Sequence, residues 1–181
     1  MKTSLLFGIL LTMNLNSFAQ VDSIQLPKAQ VSIIYPLGSN GLGSKTKPNN
    51  FSFNLFYGLN GGLNGLEIGG FANANTGPVN GIQIAGLSNI NSAEANGIII
   101  SGLTNIVGDS SHAISIAGIA NKHAGSYDGI QIAGIANFIN SDLVGIQVSG
   151  ISGTIMGNTT GFQISGINNY SNGGFYGCQV A

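Results

Sequence analysis

A histidine, an aspartate and two serines are the residues of this sequence whose types and spacing could support catalysis. When the chain is written in rows of sixteen, His112 and Asp128 fall in one column, and Ser110 and Ser111 directly precede His112. Side chains that share a column come within hydrogen-bonding distance if the rows stack. A serine, a histidine and a carboxylate in such contact would supply a nucleophile, its general base and a group that orients the base.

The rest of that column does not extend the pair into a catalytic or metal site. Its other members include Asn80, Asn96, Val144, Thr160 and Tyr176. A metal ion would need further ligands than these, and nothing near Ser110 indicates an oxyanion hole or a strained nucleophile. His123 falls in a separate connecting segment. We therefore predict a solvated polar ladder at His112 and Asp128, with no catalytic residue, no metal site, no cofactor and no enzymatic activity.

Two other features imitate functional motifs. Gly58-Leu-Asn-Gly-Gly-Leu-Asn-Gly65 is similar to a phosphate-binding loop, but no helix start and no Lys-Ser or Lys-Thr pair follows, so it is more typical of a turn. Cys178 is the only cysteine, which excludes an intrachain disulfide. It lies in an apolar column, which predicts a buried small side chain, or an accessible thiol if the last repeat is uncovered.

The composition combines high glycine with very low charge. The chain has 29 Gly in 181 residues, with five Lys or Arg and six Asp or Glu. Five basic residues give no patch that could neutralise nucleic-acid phosphates, so a nucleic-acid partner is excluded. Because 43% of the residues are hydrophobic, the chain has enough apolar surface to fold rather than remain disordered.

A repeat of sixteen residues organises residues 65–181 without insertion or deletion. A segment such as Gly81-Ile-Gln-Ile-Ala-Gly-Leu-Ser-Asn89 starts at residues 65, 81, 97, 113, 129, 145 and 161, and a partial eighth copy starts at 177. A fixed short period is typical of a stacked or radially repeated architecture. Two glycines in nearly every copy would disfavour a helix by about 1 kcal/mol each.

The columns of the repeat predict how each copy folds. Every sixteenth residue from Leu66, from Ile68 and from Phe71 is apolar, and we call these the Leu66, Ile68 and Phe71 columns. The first two have the period of two of a β-strand. We predict an all-β solenoid with about sixteen residues per coil, in which the apolar columns stack inward at about 4.8 Å per coil.

Two polar columns and one glycine column complete this prediction. The asparagine column, from Asn73 to Asn169, is broken only by Gly153 and should form a hydrogen-bonded ladder. The glutamine column should face solvent, where it could bind a repetitive polar ligand such as a glycan; its members are Gln83, Gln131, Gln147, Gln163 and Gln179. The glycine column that begins at Gly70 should mark a sharp turn or a close backbone approach.

An up-and-down β-barrel is the alternative fold, and an outer-membrane β-barrel is the corresponding alternative function. In that arrangement each copy would be one strand, and an apolar column would face lipid. Connections of one uniform length argue against it, because membrane barrels alternate short turns with long loops. Identical sequences in up and down strands are also not expected, because the two directions meet different surroundings.

The region before the repeats has two parts. Residues 1–19 have the pattern of a signal peptide, with the basic Lys2, an apolar run from Leu5 to Leu11 and Ala19 at the cleavage site, so that Gln20 would begin the mature chain. Residues 20–64 are predicted to form an N-terminal β cap. Strands are expected in 31–38 and 51–58, with a polar loop between them that holds Lys45 and Lys47.

The lead-in Val31-Ser-Ile-Ile-Tyr-Pro-Leu-Gly-Ser-Asn-Gly41, followed by repeats of the Gly-Ile-Gln-Ile-Ala-Gly-Leu-x-Asn type, resembles a family of bacterial surface-repeat proteins. The resemblance covers residues 31–181. It implies an exported protein at the cell surface or outer membrane of a Gram-negative bacterium, and it adds no catalytic residue.

These observations together predict a non-enzymatic surface or envelope protein with a structural or adhesive role. Its partners would be envelope components or glycans, with an end-to-end or capping contact at the C-terminal coil. A carbohydrate-binding or carbohydrate-active β-helix is a further alternative. Enzymes of that kind usually carry acidic clusters on one face, whereas Glu67, Glu94, Asp109, Asp128 and Asp142 are spread over several columns.

Overall fold

A computed structural model describes residues 28–181 of the chain. The predicted signal peptide, residues 1–19, and the predicted mature start at Gln20 lie outside the described residues. Within residues 28–181 no helix is long and apolar enough to span a bilayer.

The described chain is almost entirely β-structure, with 18 strands and one short 3-10 helix, Gly41–Thr46. The strands are β1 Ala29–Ile34, β2 Leu37–Gly38, β3 Pro48–Asn60, β4 Gly62–Gly69, β5 Ala72–Asn75, β6 Val79–Ala85, β7 Ser88–Asn91, β8 Ala95–Ser101, β9 Thr104–Val107, β10 Ser111–Ala117, β11 Ala120–His123, β12 Tyr127–Ala133, β13 Ala136–Ile139, β14 Leu143–Ser149, β15 Ser152–Ile155, β16 Thr159–Ser165, β17 Asn168–Ser171 and β18 Phe175–Val180.

Each repeat forms one coil that consists of a long strand, a glycine corner, a short strand and a turn. Long strands pair in parallel with the long strands of the neighbouring coils, as β10 does with β8 and β12, and short strands pair in parallel with short strands. The register is sixteen residues, so that Ile114 lies beside Ile98 and Ile130. The predicted solenoid of about sixteen residues per turn is confirmed, with about eight turns. The up-and-down alternative requires antiparallel neighbours, and the repeat strands pair in parallel.

The segment before the repeats closes the first coil. β3 is long enough to act as both strands of a coil, because its first half pairs with β4 and its second half with β5. β1 adds in parallel to β3, and β2 folds back antiparallel onto β1. The predicted strands in 31–38 and 51–58 fall within β1, β2 and β3. The predicted polar loop contains the 3-10 helix.

The predicted orientation of the strands is wrong. The glutamine and asparagine columns lie inside the coil, where Gln83, Gln131 and Asn121 are fully buried. The Leu66 and Ile68 columns lie outside, where Ile114 and Ile132 are each 39% exposed. Alternation along a strand separates two sets of side chains but does not say which set faces inward. The hydrophobic effect favours the predicted orientation, but the hydrogen bonds of the amides, described below, are compatible with the observed one.

A small apolar cluster fills the rest of the interior. It comes mostly from the first residue of the long strands and the last residue of the short strands, and it includes Leu63, Val79, Tyr127, Leu143 and Ile155. The interior is therefore mixed, with amides along the glycine corner and, near the opposite turn, asparagines in the first coils and mostly aliphatic groups in the later ones.

The glycine column allows the coils to approach each other at the corner. A Cβ atom placed on Gly118 would lie 2.0 Å from the carbonyl oxygen of Gly102, the equivalent residue of the preceding coil. The obstructing atom is backbone, so it cannot move aside without shifting the neighbouring coil. This confirms the predicted close approach of the backbone.

Substitution of Gly118 by Ala should therefore destabilise the protein by about 2 kcal/mol or more, because the added methyl group overpacks the corner. Chemical denaturation followed by circular dichroism would measure the free energy of unfolding. Gly43→Ala is the matched control, because its new Cβ would meet only the Lys47 side chain, at 3.5 Å. Equal stability of the Gly118→Ala and Gly43→Ala variants would contradict this account of the corner.

Candidate functional surface

A hydrogen-bonded ladder of asparagine side chains lies on the inner side of the glycine corner. The Nδ2 atom of Asn105 donates to Oδ1 of Asn121 at 2.9 Å, and Asn121 donates in turn to Asn137 at 2.9 Å. Each amide also donates to a backbone carbonyl of the next coil, as Asn121 does to Ile132 at 2.8 Å. The predicted ladder is confirmed, and the asparagines connect the coils at the position where the chain bends most sharply.

The glutamine column forms a second buried ladder, with the opposite direction of donation. Gln147 donates to Gln131 and Gln163 donates to Gln147, each at 3.0 Å, and Gln179 donates to Gln163 at 2.8 Å. Where the facing short strand offers an amide, the two pair across the interior, as Gln83 and Asn91 do. The glutamines are not on the surface, so they do not form the exposed polar row predicted for glycan binding.

A buried carboxylate lies within the amide network at the first coil. Glu67 is fully buried and accepts hydrogen bonds from four amides, those of Asn54 (2.9 Å), Asn60, Asn75 (2.7 Å) and Gln83 (2.9 Å). Burial raises the pKa of Glu67, and the four hydrogen bonds oppose that rise. The cap strand β3 supplies Asn54 and Asn60, so this cluster joins the cap to the repeats.

Removal of one asparagine amide should show how much the ladder contributes to stability. Asn121→Ala would leave the Ile132 carbonyl, the Asn105 amide and Oδ1 of Asn137 each without one buried partner, which should cost about 3 kcal/mol. Asn140→Ala is the control, because Asn140 is exposed in a turn and its loss should change stability by less than about 0.5 kcal/mol. Urea denaturation of both variants gives the comparison, and a ladder without energetic importance would make the two variants equal.

His123 is buried inside the coil rather than placed in a connecting segment as predicted. It is the last residue of β11, its Nδ1 atom lies 2.9 Å from the Ser111 hydroxyl oxygen, and its ring packs edge-on against Tyr127 at 4.5 Å between centroids. All the inward residues of β10 are small, namely Ser111, Ala113, Ser115 and Ala117, and the Tyr127 hydroxyl donates to the Ala113 carbonyl at 2.8 Å. Burial lowers the pKa of His123 to about 3 and raises the pKa of Tyr127.

The stability of the protein should consequently depend on pH through His123. An unfolded chain binds a proton at this histidine below about pH 6.5, whereas the folded chain does so only near pH 3. The folded state thus binds fewer protons in this interval. The stability that is linked to the neutral His123 is therefore fully present above about pH 6.5 and is lost as the pH falls toward about 3, by up to about 1.4 kcal/mol per pH unit.

His123→Val tests this dependence, because Val107 occupies the same position one coil earlier. The free energy of unfolding from about pH 5 to 7.5 should lose most of its slope in this variant. His112→Asn should keep the slope of the parent protein, since His112 is exposed and Asn occupies that position in the preceding coil. A His123→Val variant with an unchanged slope would show that another group is responsible.

The structure directs Ser111 away from the other residues of the hypothetical catalytic arrangement, whereas Ser110 lines the same shallow surface pocket as His112 and Asp128. His112 and Asp128 lie on the outside with Nε2 and Oδ2 3.9 Å apart, and both side chains are largely exposed. Ser111 points to the inside of the coil and contacts His123 instead. The polar ladder predicted for this column is present at Asn96, which donates to Asn80 at 3.0 Å. Across residues 28–181, no group of three His, Cys, Asp or Glu residues is placed to hold a metal ion.

A continuous apolar exterior covers one side of the rod. The Leu66 and Ile68 columns face outward on the long strands and continue through Phe51 and Phe53 of β3 to Ala29 and Val31 of β1. We call these two columns, across ten strands, the long-strand face. The Phe71 column lies beside it at the glycine corner and is preceded by Phe56, whose ring packs on Phe71 at 5.2 Å. No charged side chain occurs in the three columns.

The members of the repeat columns were grouped correctly from the sequence, but the Leu66 and Ile68 columns were predicted to face inward and the glutamine column to face solvent. The asparagine column was the signal that could have corrected this. Asn89 and Gln83 are six residues apart in the repeat and belong to the same set of buried side chains, and an asparagine inside the coil also reaches a backbone carbonyl of the next coil.

Cys178 lies at the C-terminal end of the long-strand face. It is exposed, so the predicted buried position is wrong and the alternative of an accessible thiol is correct. The whole of β18 is exposed, and its outer edge has no neighbouring strand among residues 28–181. This unpaired edge is compatible with the predicted end-to-end or capping contact at the C-terminal coil.

No family model, no curated protein and no solved structure matches this chain. The resemblance to bacterial surface-repeat proteins therefore stays a prediction from the residues.

Proposed function

We propose that this chain is a non-enzymatic surface or envelope protein, exported from a Gram-negative bacterium, with a structural or adhesive role. The observation that supports the proposal best is the apolar exterior. Three outward columns run along the rod without a polar or charged interruption apart from Cys178. A soluble monomer rarely exposes an apolar patch larger than about 300–600 Å², and larger patches usually mark a surface that associates.

The properties of the repeat fit a rod that associates rather than a site that turns over substrate. The repeated chemistry of the exterior is aliphatic, and aliphatic groups neither transfer protons nor act as nucleophiles. The amides of the asparagine and glutamine columns are inside the coil, where they bond to one another. The glutamine column, on which glycan binding depended, is buried, which favours an apolar contact over a carbohydrate ligand.

The sequence before the described residues supports export. The pattern of residues 1–19 would direct the chain out of the cytoplasm, and cleavage after Ala19 would leave the rod with a mature N-terminus at Gln20. In the proposed location the exterior could contact other envelope components, and the unpaired edge of β18 could receive an end-to-end or capping contact.

An exterior variant tests the proposal in cells. Ile114→Thr, Ile119→Thr, Ile130→Thr and Ile135→Thr together would place hydroxyl groups on two neighbouring coils while keeping β-branched side chains. We expect the full-length parent chain, expressed in a Gram-negative host, to be found with the envelope and to begin at Gln20. We expect the variant to be released from the envelope several-fold more readily during washing without detergent.

The matched control is Asn80→Thr with Asn96→Thr, which changes outward residues of the polar column and should leave envelope retention unchanged. Thermal unfolding of all three proteins would show that the variants still fold. Retention in the cytoplasm, equal retention of the parent and the exterior variant, or turnover of a polysaccharide by the purified chain would contradict the proposal.

A further inference from the structure

We infer that two copies of this chain pair face to face through their long-strand faces. The inference rests on the proposed structural role and names the partner for one part of the apolar exterior. It draws on three properties of the long-strand face, namely its composition, its area and its regular geometry.

The composition of the long-strand face resembles that of the inward-facing side of one sheet in a β-sandwich. Its twenty members are Ala29, Val31, Phe51, Phe53, Leu66, Ile68, Ile82, Ile84, Ile98, Ile100, Ile114, Ile116, Ile130, Ile132, Ile146, Val148, Phe162, Ile164, Cys178 and Val180. The strands alternate strictly here, because the residues between the two columns, such as Gln83 and Gln131, point inward and are buried. On the side away from the Phe71 column, the neighbouring outward column is mostly polar, with Asn80, Asn96 and Asp128, although Val144 also belongs to it.

The area of the face suits a stable dimer. Ten strands at about 4.8 Å span about 43 Å along the rod, and two columns with their side chains are about 14 Å wide, which gives about 600 Å² per copy. Pairing would thus bury about 1,200 Å² in total, the lower end of the range for stable protein interfaces. The same area exposed on a monomer would equal the largest patches that soluble proteins show.

The geometry of the face favours another copy over a lipid surface. Rows of side chains repeat at the spacing of the strands, and a second copy presents rows with the same spacing, so the two sets can interdigitate as facing sheets do. Attraction to anionic lipid would require lysines or arginines near the face. The described lysines are Lys28, Lys45 and Lys47 near the cap and Lys122 on a short strand, the opposite side of the coil.

A face that contacts its own copy forms a closed pair with two-fold symmetry, so association stops at the dimer. The Phe71 column lies at the corner and the short strands lie on the far side, so both remain exposed in the pair. The paired rod therefore keeps apolar side chains for contacts with the envelope, which is compatible with the proposed function.

The mass of the purified protein in detergent-free solution tests the inference. Sedimentation equilibrium should give twice the mass of a single chain. Ile98→Thr, Ile114→Thr, Ile116→Thr and Ile130→Thr together should give one chain mass at the same concentration, with the dissociation constant raised about a hundredfold or more. Circular dichroism and thermal unfolding would show that this face variant is folded.

Cross-linking provides a second readout that does not depend on the face variant. The two rods of a two-fold pair can run parallel or antiparallel to each other. When the faces overlap fully, both arrangements bring the middle of one face onto the middle of the other, and Ile114 lies there. In a Cys178→Ser background, Ile114→Cys should be joined into a covalent dimer by a short bis-maleimide reagent. Lys122→Cys is the control, because it follows in the same coil but is exposed on the short-strand side, and it should give no dimer above the background of random collisions.

Several outcomes would overturn face-to-face pairing. The parent protein could be a monomer at all concentrations, or it could be a monomer that binds phosphatidylcholine vesicles. The dimer could persist in the face variant, as a dimer formed by an end-to-end contact through β18 would. Cross-linking could also be equal for Ile114→Cys and Lys122→Cys. The proposed function fails separately. A monomer that is retained in the envelope through its apolar exterior would remove the dimer alone, whereas a dimer with polysaccharide turnover would remove the structural role.

Discussion

Hydrogen bonding between buried amides is the constraint on which this structure depends. Most amides inside a protein have partners, because an unpaired buried donor or acceptor costs about as much as the net gain from one to several hydrogen bonds, and here Nε2 of Gln131 and Oδ1 of Asn75 are exceptions. In a parallel coil with identical residues in register, each Asn or Gln finds its equivalent about 4.8 Å away, which is a spacing that allows one amide to donate to the next. The repeat therefore makes a polar interior possible, provided that the register is kept without slippage.

The opposite directions of the two ladders follow from their positions in the coil. Asparagine is short and lies at the corner, where its second N–H reaches a backbone carbonyl of the next coil. Glutamine is longer, extends across the interior and donates toward the preceding coil. The interior residues vary from coil to coil more than the outward columns do. Ile99 and Val107 are buried aliphatic side chains of one coil, and His123 occupies the position of Val107 in the next.

The apolar exterior is the consequence of placing the amides inside. Alternation leaves the aliphatic set of each long strand outside, where it is exposed to solvent unless another surface covers it. A single coil has little interior volume, since only two strands enclose it, and bulky aliphatic side chains from the long strands would compete with the corner asparagines for that space. The apolar face is therefore exposed because the coil is too thin to bury it. Association of the rod with another surface would reduce the free-energy cost of that exposure.

The sequence by itself determined the period of sixteen residues and the corner glycines, and it favoured a stacked coil over an up-and-down barrel. Gly102 and Gly118 are fixed by a backbone approach that excludes a Cβ atom, and the parallel pairing of the strands places equivalent positions side by side. The sequence also determined which residues share a column, so that the Asn121 ladder and the pair formed by His112 and Asp128 could be predicted.

Only the tertiary structure decided which columns face inward. Ile114 and Ser115 alternate in the same strand, and a strand with period two can be turned over without any change in its local pattern. The choice depends on contacts between distant residues, namely an asparagine that needs a carbonyl across the corner and a glutamine that needs an amide one coil away. These contacts arise only when the chain has closed into a coil, because the partners are eleven to sixteen residues apart and belong to different strands.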